Sequence, residues 1–324
     1  MFMRKSVFIL VLFAALAMYA FYIQNNEKTI TAQTVESPID ENSEVSIYFC
    51  PQDNCAGKMI EQINSANKTV HCAFFDLNIN EVIDSLKNSK AEVEVVIDGQ
   101  NYVKLPFAKA ENKTPYMHNK FCIFDDKTVL TGSFNPTITD NDKNNNNVLI
   151  IKSAAIAKNY EAEFDELWNG IFGAGEKTKN PKVGNIETYF CPEDWCTNHI
   201  LEYLGNATSS IYFMTFSFTS DPIGDMLVKK KNEGVEIKGL FDKTQAGSEY
   251  SEYEKLENAS IKVMKDANPY LMHHKVFIID NQTVITGSFN PSKNAEMYND
   301  ENVVIIKDRQ IAERYVEEFN QLTS

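Results

Sequence analysis

The strongest constraint on the fold of this chain is an internal repeat. The segment "YFCPQDNC" that starts at Tyr48 returns as "YFCPEDWC" at Tyr189, an offset of 141 residues. The segment "MHNKFCIFDDKTVLTGSFNP" that starts at Met117 returns as "MHHKVFIIDNQTVITGSFNP" at Met272, an offset of 155 residues. Because 155 exceeds 141 by 14, the second unit holds 14 extra residues, which we expect in a loop within "DKTQAGSEYSEYEKLENAS". Landmarks repeated in the same order predict two copies of one supersecondary unit.

Each unit alternates short apolar runs with amphipathic segments, which predicts strands and helices in turn. The fold class is therefore α/β, with two units related by a pseudo-two-fold axis, each a mixed β-sheet flanked by helices. The predicted divisions are a signal anchor over 1–23, a linker over 24–44, a first repeat over 45–180 and a second repeat over 181–324.

The N-terminal segment predicts that the protein is anchored in a membrane. Arg4 and Lys5 precede an uninterrupted apolar run from Val7 to Ile23, about the length needed to span a bilayer. The positive-inside rule keeps the two basic residues in the cytoplasm and predicts a single-pass protein with its catalytic part outside. The Ala-Leu-Ala at 15–17 is an alternative cleavage site, which would make the protein secreted.

The charge balance argues against broad binding of a polyanion. The 324-residue chain has 45 acidic and 31 basic residues, a formal net charge of -14. Tight non-specific binding of DNA or RNA needs many contacts from lysine and arginine to phosphate. A local basic cleft remains compatible with this composition.

Six cysteines fit an oxidising compartment. Four of them form two C-x4-C pairs, Cys50 with Cys55 and Cys191 with Cys196. We expect a local disulfide in each pair, with a four-cysteine zinc site as the alternative. Cys72 and Cys122 lie in apolar strand patterns, where we expect small buried hydrophobic side chains.

The longer repeated segment carries the chemistry. Residues two apart on a strand share a face, so His118 and Lys120 are expected to point the same way. Two cationic side chains on an apolar strand are costly unless an anion or a partner meets them. Gly132 ends the next strand, where it permits close approach of backbone to a ligand, and Ser133 follows with a hydrogen-bonding hydroxyl. The same pattern in both units favours a functional site over a solvent-facing pair.

The pattern His-x-Lys-x4-Asp-x6-Gly-Ser-x-Asn, present twice, resembles the phospholipase D superfamily. The resemblance covers nearly all of the chain after residue 45, and the "GSFN" wording is similar to a bacterial nuclease branch of that family. The matching catalytic residues are His118, Lys120, Asp125, His273, Lys275 and Asp280. The matching substrate-binding residues are Ser133, Asn135, Ser288 and Asn290.

The resemblance implies a metal-free and cofactor-free mechanism with one site formed by both units of a monomer. One histidine attacks phosphorus to form a phosphohistidine, and the other protonates the leaving oxygen and then activates water. The lysines and asparagines would hold the non-bridging oxygens of the phosphate. We expect Asp125 and Asp280, although part of the motif, to serve a structural role.

A downstream carboxylate distinguishes the two halves. Glu301 occupies the position at which members of this family carry a carboxylate that orients the histidine of the opposite motif, whereas the first unit has Asn146 there. Glu301 would then orient His118 and make it the nucleophile, with His273 as the general acid. Asp140 and Asp142 are candidates for replacing the missing carboxylate.

The sequence allows more than one class of substrate and of function. The favoured function is hydrolysis of a phospholipid at the membrane by a phospholipase D-like phosphodiesterase. The alternatives are a metal-independent nuclease on DNA or RNA, a phosphatidyltransferase similar to cardiolipin synthase, and an inactive phosphate- or membrane-binding module. We expect the Asn-rich segment over 141–147 to be a solvated loop, Phe216 to pack in the core, and His274 to be a core or surface histidine, all without a part in the site.

Overall fold

The computed structural model describes residues 43–111 and 116–324. The predicted anchor over 1–23, and all but the end of the linker over 24–44, lie outside the described residues. Within the two described ranges, none of the helices combines the length and apolarity needed to cross a bilayer.

The first repeat is a seven-stranded sheet with four helices. Its strands are β1 (Glu44–Cys50), β2 (Thr69–Phe74), β3 (Glu92–Asp98), β4 (Ala108–Glu111), β5 (Lys120–Phe124), β6 (Thr128–Gly132) and β7 (Asn146–Lys152). Its helices are α1 (Cys55–Ser65), α2 (Asn80–Lys87), α3 (Ile138–Asp142) and α4 (Ala154–Trp168).

The second repeat has the same elements in the same order, with one extra strand and one extra helix. Its strands are β8 (Lys182–Val183), β9 (Ile186–Cys191), β10 (Ser210–Thr215), β11 (Glu236–Phe241), β12 (Lys262–Lys265), β13 (Lys275–Ile279), β14 (Thr283–Gly287) and β15 (Glu301–Lys307). Its helices are α5 (Cys196–Gly205), α6 (Asp221–Asn232), α7 (Tyr253–Asn258), α8 (Lys293–Met297) and α9 (Arg309–Leu322).

The two sheets share one topology, which confirms the predicted fold class. The strand order β1-β7-β6-β5-β2-β3-β4 matches β9-β15-β14-β13-β10-β11-β12 element by element, and β8 adds an edge strand to the second sheet. The pairs β2–β3 and β3–β4 are parallel and the others in the first sheet are antiparallel. A parallel pair needs a crossover, and α2 supplies it between β2 and β3.

A central core joins the repeats through the helices that close them. In α4, Ile156, Tyr160 and Phe164 repeat every four residues and form one buried face. The ring of Tyr160 packs edge-on against Phe190 of the second sheet, 5.0 Å between centroids. The counterpart in α9, Tyr315, packs edge-on at 5.1 Å against Phe49 of the first sheet. Each closing helix thus contacts the other repeat, as the pseudo-two-fold relation requires.

The cysteines confirm one prediction and correct another. Disulfides join Cys50 to Cys55 and Cys191 to Cys196, as expected for the two C-x4-C pairs. A third disulfide joins Cys72 to Cys122, so these two are buried as expected but are not separate hydrophobic side chains. They lie directly opposite each other on the antiparallel strands β2 and β5, a contact that the linear sequence does not show.

Two loops also differ from the expectation. The extra residues of the second repeat include a 3-10 turn over Gln245–Gly247 and helix α7, rather than only a loop. In the Asn-rich segment, Asp142 and Lys143 are exposed, but Asn144 to Asn147 are buried, so the solvated-loop interpretation of these four is wrong. Asn146 and Asn147 are the first residues of strand β7, which lies between β1 and β6, beside the predicted site.

Candidate active site

Each predicted histidine lies just before a strand, rather than within it, and is held by the other repeat. His118 stands two residues before the start of β5, and its backbone N–H donates to the carbonyl of Asp300, at 2.9 Å. His273 stands two residues before the start of β13, and its N–H donates to the carbonyl of Asn145, at 2.8 Å. These crossed contacts bring both motif segments to the boundary between the two sheets.

The predicted lysines are buried beside their own histidines. Lys120 Nζ donates to the His118 carbonyl at 2.6 Å, and Lys275 Nζ donates to the His273 carbonyl at 2.7 Å. Each ammonium also lies over an aromatic ring, Phe75 at 5.2 Å and Phe216 at 5.3 Å. Neither lysine has an ion pair within 4.0 Å among the described residues. Two buried cations without a direct counter-ion favour an anionic ligand.

The two imidazoles have different hydrogen-bond partners. His118 Nδ1 lies 2.8 Å from Glu301 Oε2, a buried carboxylate of the second repeat. His273 Nδ1 lies 2.9 Å from Asn146 Oδ1, a neutral amide oxygen of the first repeat. The Asn146 Nδ2 donates to the carbonyl of Asp140, which fixes the orientation of the amide. Both histidines therefore donate through Nδ1, which leaves Nε2 for chemistry.

The predicted serines support these partners rather than stand alone. Ser133 Oγ donates to Asn146 Oδ1 at 3.0 Å, and Ser288 Oγ donates to Glu301 Oε2 at 2.7 Å. The preceding Gly132 has a φ of 142°, and a Cβ there would meet the carbonyl of Asn147. Glycine is thus required for the serine to reach β7.

The two predicted asparagines have different surroundings. Asn135 donates through Nδ2 to Asp140 Oδ2 at 2.9 Å and is buried. Asn290 is partly exposed. In both side chains the Oδ1 atom has no hydrogen-bond partner among the described residues.

The two motif aspartates lie away from the histidines. Asp125 follows the far end of β5 from His118, and its carboxylate accepts from the backbone N–H groups of Asn67, Lys68 and Thr69. Asp280 accepts in the same way from the backbone at 208–210. The structure places both carboxylates where they hold the start of a neighbouring strand, so grouping them with the catalytic residues finds no support in the geometry.

Burial and like charge set the protonation of the site. Burial lowers the pKa of His118 to about 4, with Glu301 opposing this effect and Lys120 adding to it. The pKa of Lys120 falls to about 8, mainly through burial. The pKa of His273 is also lowered, by burial, the two lysines and His118. Charges of one repeat thus act on the histidine of the other, as expected if all four groups share one site.

Of the neighbours of the histidines, the sequence interpretation missed Phe75 and misjudged Phe216, whereas Asp140 was one of its two candidate carboxylates. The ring of Phe75 packs against His118 at 4.9 Å, and Phe216 packs against His273 at 5.0 Å, so core packing was the wrong expectation for Phe216. The repeat itself held the signal, since 75 and 216 differ by the same 141 residues as the cysteine segments. Asp140 Oδ2 lies 3.6 Å from His273 Nδ1, whereas Asp142 is exposed.

A group of carboxylates lies outside this site. Glu163, Glu166 and Glu193 bring their oxygens within 4.8 Å of one another, close enough to share a cation. Their link to the motif is Asn119, whose Nδ2 donates to Glu163 Oε1 at 2.9 Å. Burial raises the pKa of Glu163, and it raises the pKa of Glu193 to about 7.

His274, next to His273, belongs to a buried layer beneath the site. Its Nδ1 lies 3.2 Å from Asn147 Oδ1, and its Nε2 lies 3.5 Å from Glu318. Asn119 occupies the equivalent position in the first repeat and contacts Asn302 and Glu163. His274 was expected to be a core or surface histidine, and its burial places it in the core.

Comparison with known proteins gives the same family in both repeats. The family described as "Cardiolipin synthase, PLD-like domain" matches residues 59–168 and 200–323. A protein named phospholipase D from Rickettsia typhi is 37% identical over 135 residues, which are 42% of this chain and 66% of that protein. A mitochondrial cardiolipin hydrolase from Chlamydomonas reinhardtii is 28% identical over 201 residues, which are 53% of this chain and 90% of that protein.

The fold is also found over the whole tandem arrangement. The crystal structure of a phosphatidylserine synthase from Haemophilus influenzae superposes with a TM-score of 0.65, covers 85% of each chain and is 15% identical. This likeness concerns the fold. The family match over both repeats, together with two His–Lys pairs in one site, shows that the chain belongs to the phospholipase D superfamily.

Proposed function

We propose that this protein is a phospholipase D-like phosphodiesterase that hydrolyses a phosphodiester, with a phospholipid as its substrate, through a phosphohistidine intermediate. The observation that carries the proposal is the convergence of two buried His–Lys pairs, each held by the opposite repeat. Two cations and two nucleophilic imidazoles in one buried site suit a phosphate monoanion.

His118 is the nucleophile in this proposal. Glu301 accepts the Nδ1–H of His118, so the lone pair of Nε2 is free to attack phosphorus. As the P–N bond forms, the bond from phosphorus to the leaving oxygen breaks, and that oxygen takes the proton of His273 Nε2. Water then attacks phosphorus, gives its proton to His273 Nε2, and the P–N bond breaks to return neutral His118.

The substrate itself prepares His273 for this role. Without an anion, burial and the lysines lower the pKa of His273 and favour the neutral ring. A phosphate between the lysines adds negative charge and raises the pKa of the imidazole. Protonated His273 is therefore a state of the complex rather than of the free enzyme.

Two considerations support a lipid over a nucleic acid. Similar proteins are named phospholipase D and mitochondrial cardiolipin hydrolase. The net charge of -14 opposes the approach of a long polyanion more than that of a single headgroup. The predicted anchor over 1–23 would hold the catalytic part at the outer face of the membrane, which remains part of the proposal.

The test compares substrates under one condition. The purified chain is incubated in EDTA with phosphatidylcholine/cardiolipin vesicles, with single-stranded DNA and with single-stranded RNA. We expect release of the lipid headgroup with phosphatidic acid as product, lost in His118→Ala. The matched control is His199→Ala, which removes a histidine that stacks on Tyr189 outside the site.

Each outcome decides between functions. Cleavage of DNA or RNA that depends on His118, with lipids untouched, would replace the phospholipase by a nuclease. Transfer of phosphatidyl groups to an added alcohol in preference to water would indicate a transferase. The absence of His118-dependent turnover with all three substrates would contradict an enzymatic role.

A further inference from the structure

The two repeats carry their site carboxylates at different positions. The offset of 155 residues that relates His118 to His273 also relates Asp140 to Ala295 and Asn146 to Glu301. The first repeat therefore has a carboxylate on α3 and an amide on β7. The second has a methyl group on α8 and a carboxylate on β15. The exchange is reciprocal, so each repeat has one carboxylate in this pair of positions.

Both carboxylates reach the histidine of the opposite repeat. Glu301 Oε2 contacts His118 Nδ1 directly at 2.8 Å. Asp140 Oδ2 lies 3.6 Å from His273 Nδ1, just beyond hydrogen-bond distance, because Asn146 Oδ1 occupies the bonding position at 2.9 Å. Asp140 is buried, so its charge is weakly screened at this distance.

Asp140 is also fixed by the segment that carries Asn135. Its Oδ2 accepts from the backbone N–H of Asn135 at 2.8 Å and from Asn135 Nδ2 at 2.9 Å. Its Oδ1 accepts from Asn144 Nδ2 at 2.6 Å. In the second repeat Ala295 has no acceptor to offer Asn290. One carboxylate of the first repeat thus contacts both His273, the proposed general acid, and Asn135, a predicted substrate-binding residue.

We infer that Asp140 is the positioning residue of His273, a carboxylate moved from position 146 to position 140 that stabilises the imidazolium through space. This inference rests on the proposed function, since it assigns a role within the same reaction. Asp140 favours the protonated form of the His273 ring. The neutral amide oxygen of Asn146 accepts a weaker hydrogen bond from His273 than the Glu301 carboxylate accepts from His118. His273 is accordingly the better proton donor and His118 the better nucleophile.

The surroundings of His273 otherwise oppose its protonation. Burial, Lys275, Lys120, His118 and His274 each lower the pKa of the ring. Asp140 is the carboxylate within 4.0 Å of the ring among the described residues.

The test separates a role in proton donation from a role in folding. The substrates are methyl p-nitrophenyl phosphate, whose leaving group needs little protonation, and methyl phenyl phosphate, whose leaving group needs it. Asp140→Asn keeps an oxygen that can accept from Asn135 but removes the charge. We expect this variant to lose about 10- to 100-fold in kcat for the phenyl ester and less than threefold for the nitrophenyl ester.

A second variant returns the carboxylate to its place in the other repeat. The double substitution Asp140→Ala with Asn146→Glu copies the Ala295 and Glu301 arrangement. We expect it to recover the phenyl-to-nitrophenyl ratio of kcat that Asp140→Ala alone loses. The matched control is Asp142→Asn, an exposed carboxylate on the same helix, which should leave both rates unchanged.

A measurement without turnover gives the same information. Titration of the His273 imidazole by NMR with inorganic phosphate bound should show its pKa falling in Asp140→Asn and recovering in the double variant. Equal loss on both esters with an unmoved His273 titration would overturn the inference and assign Asp140 to folding alone. If the wild type and His118→Ala cleave the nitrophenyl ester equally, the proposed function itself fails, which is a different result.

Discussion

Lys120 and Lys275 are buried cations that repel each other across the two repeats. The pKa of Lys275 is lowered by burial and by Lys120, and that of Lys120 falls to about 8. A bound phosphate monoanion would compensate both charges and raise the pKa of each ammonium. The two lysines should therefore lose their protons at lower pH in the free enzyme than in the complex with phosphate.

This difference predicts the alkaline limb of the pH profile. Below about pH 8 Lys120 is protonated, and above it the charge that binds phosphate is lost, so kcat/KM should fall as pH rises through about 8. The corresponding fall in kcat reports the enzyme–substrate complex and should occur at higher pH than the fall in kcat/KM. Lys120→Arg keeps its charge and should move the kcat/KM limb upward. A kcat/KM that stays flat up to pH 9 in the wild type would contradict this role for Lys120.

The sequence predicted which residues belong to the site better than it predicted what surrounds them. His118, Lys120 and Glu301 were found because they repeat, or fail to repeat, at fixed offsets. Asp140 was one of two candidates, and the choice between it and Asp142 depends on which side of the short helix α3 faces the core. Phe216 was misjudged because an aromatic residue after a strand packs equally well in a core or beside an imidazole.

The motif aspartates stabilise the beginnings of strands and do not contact the histidines. Asp280 has a φ of 54° in the turn after β13, and its carboxylate accepts from three consecutive backbone N–H groups at 208–210, where β10 begins. These hydrogen bonds lower the pKa of Asp280 to about 2 despite partial burial. Asp125 repeats the arrangement at the start of β2.

Replacing Asp280 should therefore affect stability rather than catalysis. We expect Asp280→Ala to lower the free energy of unfolding by about 1–3 kcal/mol through the lost hydrogen bonds. Because the folded pKa lies below the usual carboxyl value, this stabilisation is present above about pH 4 and lost as pH falls towards 2. Urea unfolding at pH 7 and pH 3 measures both effects. A large loss of kcat in folded Asp280→Ala protein would show a catalytic role instead.

The disulfide between β2 and β5 should contribute more than the local ones. Cys72 and Cys122 are 50 residues apart, whereas Cys50 and Cys55 are five apart. The chain-entropy model gives about 4 kcal/mol for the longer loop and about 2 kcal/mol for the shorter one.

Two double variants test this difference by urea unfolding without reductant. Cys72→Ala with Cys122→Ala should lose more stability than Cys50→Ala with Cys55→Ala. Equal losses would mean that loop length does not govern the contribution of the longer disulfide. The pairing was hidden from sequence reasoning because it depends on the register of β2 against β5, and two apolar strands do not reveal their register.

The elements themselves were predicted well where the repeat supplied two examples. The alternation of strands and helices appears in both units, so tandem sheets with covering helices followed from it. The buried state of Asn144 to Asn147 could not be predicted, because runs of asparagine are typical of solvated loops. Here crossed backbone hydrogen bonds to the second repeat hold this segment, including the bond from Asn145 N–H to the carbonyl of Leu271.

The molecule consists of two fused repeats, and neither repeat alone contains a complete site. His118 depends on Glu301 of the second repeat, and His273 depends on Asn146 and Asp140 of the first. Fusion into one chain lets the halves differ. The different positions of the site carboxylates, Asp140 in the first repeat and Glu301 in the second, give the two histidines unequal partners, which a symmetric pair of identical units could not do.

In the proposed reaction, His118 forms the covalent intermediate and His273 resolves it. The most direct measurement uses methyl p-nitrophenyl phosphate labelled at phosphorus, because its leaving group needs little help from an acid. Each variant, His118→Ala and His273→Ala, is denatured at alkaline pH after mixing, and label bound to protein is counted. We expect label to accumulate in His273→Ala, where attack proceeds but water is not activated, and to be absent in His118→Ala. Label that accumulates in His118→Ala and is absent from His273→Ala would contradict the assignment.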